Sequence, residues 1–348
     1  MKRWIIAFFY LWFNSAYALE LNQKVVLLNG SNVPSWVLSG ASVDMDFANN
    51  RYYGCSLASC LSITRASAKT NLLPSSVSGF AYTTFGNNVL AIDSNGLLIE
   101  ESRTNQLLNS TAPATQTTGS LGTGTYTLWV NGSGSAQMSL GTGVGCGVGT
   151  ATNGTPVNFT ITVAGTCIVT VIGSLNAFQL ELGTFGTSLV VTAGATGTRA
   201  ADSVSLSGTA NTIMLGAQGT VRIAATLEGI NAGNNVLTGG SNSATFGIMS
   251  NNLSGANGGS FLLATTNLCV ASGSFTANIS QKIIGSWKQA NYGLSLNGAS
   301  VITSVAGNTL VLQAPYFLGS KNSTYSNGYY SRHTLWALQL PNASLPGI

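Results

Sequence analysis

The chain has 348 residues with a formal net charge of +4; only 6% are charged, 45% are hydrophobic and 42 are glycine. That length allows two or three domains of roughly 100 to 200 residues, and the scarcity of charge excludes a surface built from salt-bridged helices. Turn-forming and β-branched residues take their place, so the predicted class is all-β.

Residues 1–18, MKRWIIAFFYLWFNSAYA, set Lys2 and Arg3 before an apolar run through Phe13 and a small-x-small step, Ala16-Tyr17-Ala18. The pattern reads as a secretory signal peptide; the alternative is a membrane anchor, but the run is shorter than the roughly 20 residues that span a bilayer. The expected location is secreted or extracellular. Cleavage leaves eleven basic residues against nine acidic ones. No Lys/Arg cluster is present to neutralise phosphates, so nucleic acid is not an expected partner.

Residues 19–105 read as an irregular segment with short strands, of which GASVDMDFANNRYYG (40–54) alternates best. From 106 to 200 the pattern becomes regular. GTYTLWVNG, AQMSLGTG, PVNFTITVAG, TCIVTVIG and AFQLELG alternate with period two and are separated by Gly or Asn-Gly, which predicts one compact sandwich. The link TAGATGTRAADSVSL leads to a second all-β block, 203–348, where Asn297-Gly298 marks a tight hairpin.

Five cysteines in an exported chain suggest disulfides Cys55–Cys60 and Cys146–Cys167, with Cys269 left as a buried thiol; the alternative is five small buried hydrophobes. A single histidine, His333, gives no nucleophile–base–acid constellation. After residue 105 the acids are Glu181, Asp202 and Glu228; Glu100 and Glu101 are adjacent and point oppositely on a strand, and the irregular leader adds Asp44 and Asp46, which share a strand face, and Asp93. The chain is therefore not expected to be an enzyme, and no cofactor, calcium or zinc site is expected. The stretch PYFLGSKNSTYSNGYYSRH (315–333) mixes rings with hydrogen-bonding groups. Tyr325, Tyr329, Tyr330, Asn327, Arg332 and His333 are candidate ligand-binding residues for a sugar; the same tyrosines also suit packing across strands. Sequons at Asn109 and Asn322 arise readily in so Asn- and Ser-rich a chain.

Three passages in order, SITRASAKT (62–70), GLLIEESRTNQLL (96–108) and FQLELGTFGTSLVVTAGATGTRAAD (178–202), together resemble the phage head-spike or tail-fibre family over about residues 42–206. Val190-Val191-Thr192 departs from that family's Ile-Pro-Thr step. The resemblance implies a virion surface or prophage-encoded protein whose middle domain is a sandwich similar to carbohydrate-binding modules. The block 203–348 is similar to laminin-G or concanavalin-like jelly rolls. Glu100, Glu101, Arg103, Glu181, Arg199 and Asp202 lie at the edges of the middle domain and are candidates for inter-domain ion pairs. The expected function is non-enzymatic display and adhesion through a surface polysaccharide or glycan, with other virion or surface proteins as partners. Exposed β edges favour a homo-oligomer. The alternatives are a purely structural spike or fibre component and a secreted polysaccharide-degrading enzyme or its accessory module.

Overall fold

The structure, a computed structural model, describes residues 33–76, 80–147, 149–229, 236–240, 246–251, 257–263, 266–270, 275–305, 313–321 and 324–348. Residues 1–18, read above as a signal peptide, and the sequon residue Asn322 lie outside these. The chain divides into Met1–Ser39 and Gly40–Ile348. In the first, residues 33–39 form a turn closed by the Val37 N–H donating to the Pro34 carbonyl at 2.9 Å. Among the described residues no helix is long and apolar enough to cross a membrane.

Gly40–Ile348 is all-β and contains two sandwiches, as the alternation predicts. The smaller one packs Val157–Ile161, Gly124–Gly132 and Leu175–Leu182 against Gly149–Thr152, Ser135–Leu140, Cys167–Ile172 and Gln116–Thr117. Their inward residues, including Leu128, Val130, Met138, Val169, Phe178 and Leu180, are fully enclosed and make one core. Residues i and i+2 of a strand face the same side, so the alternation seen in the sequence becomes the buried layer directly. The Cys146–Cys167 disulfide ties the start of the strand Cys167–Ile172 to the connection between Ser135–Leu140 and Gly149–Thr152.

The larger sandwich differs from the expected division of the chain. Its long sheet runs in the order Arg51–Tyr53, Val43–Asp46, Gly328–Trp336, Gln218–Leu227, Ser280–Lys288, Asn291–Leu296 and Ile302–Ser304. Gly96–Ile99 also pairs with Gly328–Trp336, the closing strand, opposite residues 328–330. In the facing sheet, Leu61–Thr64 pairs with Ser203–Leu206. The segment expected as a leader therefore supplies strands to both sheets of the C-terminal block, and Met45, Phe47, Leu97 and Ile99 share its core with Val221, Ile283, Trp287 and Leu335. The smaller sandwich is an insertion between two halves of the larger one. Chain exit and return form a two-stranded neck, Arg103–Asn105 against Gly197–Arg199.

Local chemistry explains the turns. Asn297 and Gly298 take φ of 52° and 78°, and the Ala299 N–H donates to the Leu296 carbonyl at 2.9 Å; two successive positive φ values define a type I′ turn, whose twist matches its strands. At Gly96, φ is 124° and a Cβ would strike the Tyr330 backbone. Only glycine lets the hairpin Ile92–Asp93/Gly96–Ile99 lie this close to the closing strand.

Candidate functional site

The structure first relocates the tyrosine-rich stretch. Gly328–Trp336 is a strand between two neighbours, and a bulge at Ser331 offsets its register. Tyr330 and His333 are fully enclosed and Tyr329 is 6% exposed. The bulge puts Tyr330 on the same face as His333 and Leu335, inside the main core, while Tyr329 turns to a satellite core with Leu73, Ala91 and Leu98. Asn327 is buried and its Oδ1 accepts from the Glu101 N–H at 2.8 Å. Arg332 grips Asp44 with Nε at 2.8 Å and Nη2 at 2.5 Å. Tyr325 is half-buried in a short strand beside Ser320–Lys321. The expectation of one exposed aromatic ligand surface is thus corrected: consecutive strand residues face opposite ways, and rings enclosed in a core offer no face to a sugar. Neither ring nitrogen of His333 has a hydrogen-bond partner among the described residues, and burial, only partly offset by Asp44, pushes its pKa down to about 4.

The six candidate ion-pair residues do come together, with two cations that the sequence reading left out, Arg65 and Lys69. Asp202 accepts from Arg65 Nη1 at 2.7 Å and from Lys69 Nζ at 2.5 Å. Lys69 and Arg199 each stand 3.0 Å from Glu100 Oε2. Ser188 donates to Glu100 through its N–H and hydroxyl, and Thr187 does the same for Glu181. Arg103 pairs with Glu101, lies 3.9 Å from Glu181 and rests over the Phe185 ring at 5.1 Å. Burial raises the Glu100 carboxyl, but Arg199, Lys69 and the Ser188 hydrogen bonds outweigh it and hold its pKa at about 2. Four cations thus meet four carboxylates at the neck, and their charges cancel. This network fixes geometry; its enclosed groups are closed to a substrate. Both expected cysteine pairs are joined, Cys55 to Cys60 and Cys146 to Cys167, and the Cys269 thiol is buried, which pushes its pKa up to about 11.

The accessible chemistry lies elsewhere, in an open cleft of about 680 Å³ on the larger sandwich, lined among others by Asn71, Asp93, Asn95, Glu228, Asn278 and Tyr329. The tight hairpin before Gly96 brings Asp93 to the wall. Three donors hold its carboxylate: the Tyr329 hydroxyl at 2.8 Å, Asn71 Nδ2 at 2.7 Å and the Asn95 N–H at 2.8 Å. Of the six candidate ligand residues Tyr329 alone lines this cleft, with its ring packed beneath it and its hydroxyl positioning Asp93. Glu228 is half-buried at the end of the central strand Gln218–Leu227. Burial first and the Glu100 charge second push its pKa up to about 7, against a weakening contribution from Ser75. Ala81 reaches the cleft from a segment that carries the edge-to-face pair Phe80 and Tyr82 on either side. These residues were missed because they come from strands far apart in sequence. The available signal was the stretch FAYTTFGNN (80–88), which mixes rings and amides much as 315–333 does. Among the described residues no group of three His, Cys, Asp or Glu is placed to hold a metal ion.

No family model matches the chain, and no curated protein matches its sequence. Solved structures with partial likeness include the CBM40 of the Ruminococcus gnavus IT-sialidase bound to α2,3-sialyllactose, at 19% identity over 40% of this chain and 85% of that one, with a TM-score of 0.33. A Trypanosoma rangeli sialidase mutant displaying trans-sialidase activity shares 15% identity over 37% of this chain and 22% of that one, with a TM-score of 0.29. The leech intramolecular trans-sialidase shares 15% identity over 40% of this chain and 24% of that one, with a TM-score of 0.31. At these scores the likenesses assign neither ligand nor activity to this chain.

Proposed function

We propose that this chain is a non-enzymatic attachment protein, displayed on a virion or cell surface, whose larger sandwich binds a saccharide in the cleft around Asp93. The observation that carries the reading is the cleft itself, an open hollow whose carboxylate and amide groups are pre-set by hydrogen bonds on a rigid sheet. Sugars are bound by such fixed polar groups, since each hydroxyl needs a partner of set direction and preorganised partners lose little entropy on binding.

The display setting rests on the resemblance to spike and fibre proteins. All eight charged residues of the neck network fall inside the three passages that carry the resemblance. What those passages encode is the joint by which one sandwich is inserted into another. The same fact favours a second reading, a purely structural spike component, because the joint works without any ligand.

The test is binding of the purified full chain to whole bacterial cells and to their extracted polysaccharide, before and after periodate oxidation, alongside a reducing-sugar assay. Saturable binding that periodate abolishes, with no sugar released, is the expected outcome. Absence of binding would favour the structural reading, and sugar release would overturn the non-enzymatic one.

A further inference from the structure

We infer that the cleft selects glycans that present uncharged hydroxyl groups and rejects glycans that end in a carboxylate, with Asp93 as the residue that makes the choice. This rests on the saccharide reading above and adds the ligand class to it.

The inference follows from the acceptor count at Asp93 and from the charges around it. An ionised carboxylate offers about four acceptor positions. Three are filled from within the protein, two on Oδ2 by Tyr329 and Asn71 and one on Oδ1 by the Asn95 N–H. The remaining position, on Oδ1, takes a donor, and a sugar hydroxyl is one. A carboxylate on the ligand brings only acceptors. It would meet Asp93 and Glu228 on a wall where, among the described lining residues, there is no Lys, Arg or His to neutralise it. Like charges held a few ångströms apart repel even at a wet surface, the more so at low salt. Glu228, held at about 7 by burial and then by the Glu100 charge, is partly protonated at neutral pH. In that form it can donate to one sugar hydroxyl and accept from another.

The experiment is a printed array of neutral oligosaccharides beside the same oligosaccharides capped with sialic or uronic acid, probed with the full chain at neutral pH. The variants are Asp93→Asn, Glu228→Gln and Ser280→Trp, the last placing an indole at an exposed position of the cleft wall without disturbing the layer beneath. Thermal melts of each variant verify folding. The expected result is binding of neutral probes, at least tenfold weaker binding of their capped counterparts, a loss of at least tenfold in Asp93→Asn, and block by Ser280→Trp. Capped probes bound as well as neutral ones, with Ser280→Trp still blocking, would overturn the charge selection and leave the saccharide cleft standing. Selection that persists with unchanged strength in Asp93→Asn would overturn the role given to that residue. No glycan bound by a folded wild-type chain, or binding indifferent to Ser280→Trp, would sink the cleft reading itself.

Discussion

Replacing His333 with Leu should reverse the pH dependence of stability between pH 6.5 and 4.5. His333 is enclosed in the main core and its pKa falls from an ordinary 6.5 to about 4. In that interval the unfolded chain binds a proton that the folded chain refuses, so His333 makes the protein less stable as pH falls. At about 1.4 kcal/mol per pKa unit, the full effect is about 3 kcal/mol. Glu228 works in the opposite sense. Its pKa rises from an ordinary 4.5 to about 7, so between those values the folded chain holds a proton that the unfolded chain has lost, and stability increases on acidification. Its half-exposure reduces that gain to about 1 to 2 kcal/mol. The two contributions oppose each other, leaving wild type with a modest acid loss in this window. His333→Leu removes the larger one, so the variant should gain about 1 to 2 kcal/mol between pH 6.5 and 4.5, while Glu228→Gln should lose about 2 kcal/mol over the same interval. Urea unfolding at pH 7.5, 6.5, 5.5 and 4.5 reads both as midpoint shifts. A His333→Leu profile parallel to wild type would refute the argument. Below pH 4.5 a separate loss sets in, because Glu100 is held at about 2 when folded and its contribution disappears as pH falls from 4.5.

Three further outcomes are expected. Asp202→Asn leaves Arg65 and Lys69 enclosed with a partner lost and should cost about 3 to 5 kcal/mol in urea unfolding; a cost under 1 kcal/mol would mean that water reaches the network. Replacing Cys146 and Cys167 together with Ala opens a loop with a sequence separation of 21 and should cost the smaller sandwich about 3 kcal/mol, read as a lower melting temperature. A fragment containing only residues 203–348 lacks the strands Val43–Asp46 and Gly96–Ile99 that pair with the closing strand; it should fail to give the near-ultraviolet circular dichroism of a packed core, and a folded fragment would refute the interleaved architecture.

The parts of this fold that were legible in the sequence are those in which cause and effect are neighbours. GTYTLWVNG becomes the strand Gly124–Gly132 because period-two alternation is a local property. Asn297-Gly298 becomes a turn for the same kind of reason. Residues 40–105 were harder because several of their strands are defined by partners about 100 to nearly 300 positions away. Val43 lies opposite Leu335 and Met45 opposite His333, and no periodicity within a short strand names its partner. The candidate ligand stretch failed in an instructive way. Tyr329 and Tyr330 are adjacent in sequence, yet the pleat sends one to the satellite core and the other to the main core. Nearness along the chain predicts a shared surface for a loop and opposed surfaces for a strand. The cleft combines residues 71, 93, 228 and 278, a set that only tertiary pairing assembles.

The concentration of charge around the neck has a physical rationale of its own. An inserted domain enters and leaves its host through two chain crossings, here joined by the short register Arg103–Asn105 against Gly197–Arg199. Three paired residues on each side cannot by themselves fix how two sandwiches sit, since a short two-stranded ribbon is marginally stable alone. Apolar contacts would add stability there but would tolerate sliding, because dispersion has little direction. Directional pairs do not: Arg65 and Lys69 reach Asp202 from the host side, while Arg199 and Ser188 reach Glu100 from the insertion side. Any shift of the joint leaves a buried charge without its partner, so the orientation is specified even where the net stabilisation is small. A chain with few charges elsewhere can place them at the one joint where direction matters more than strength.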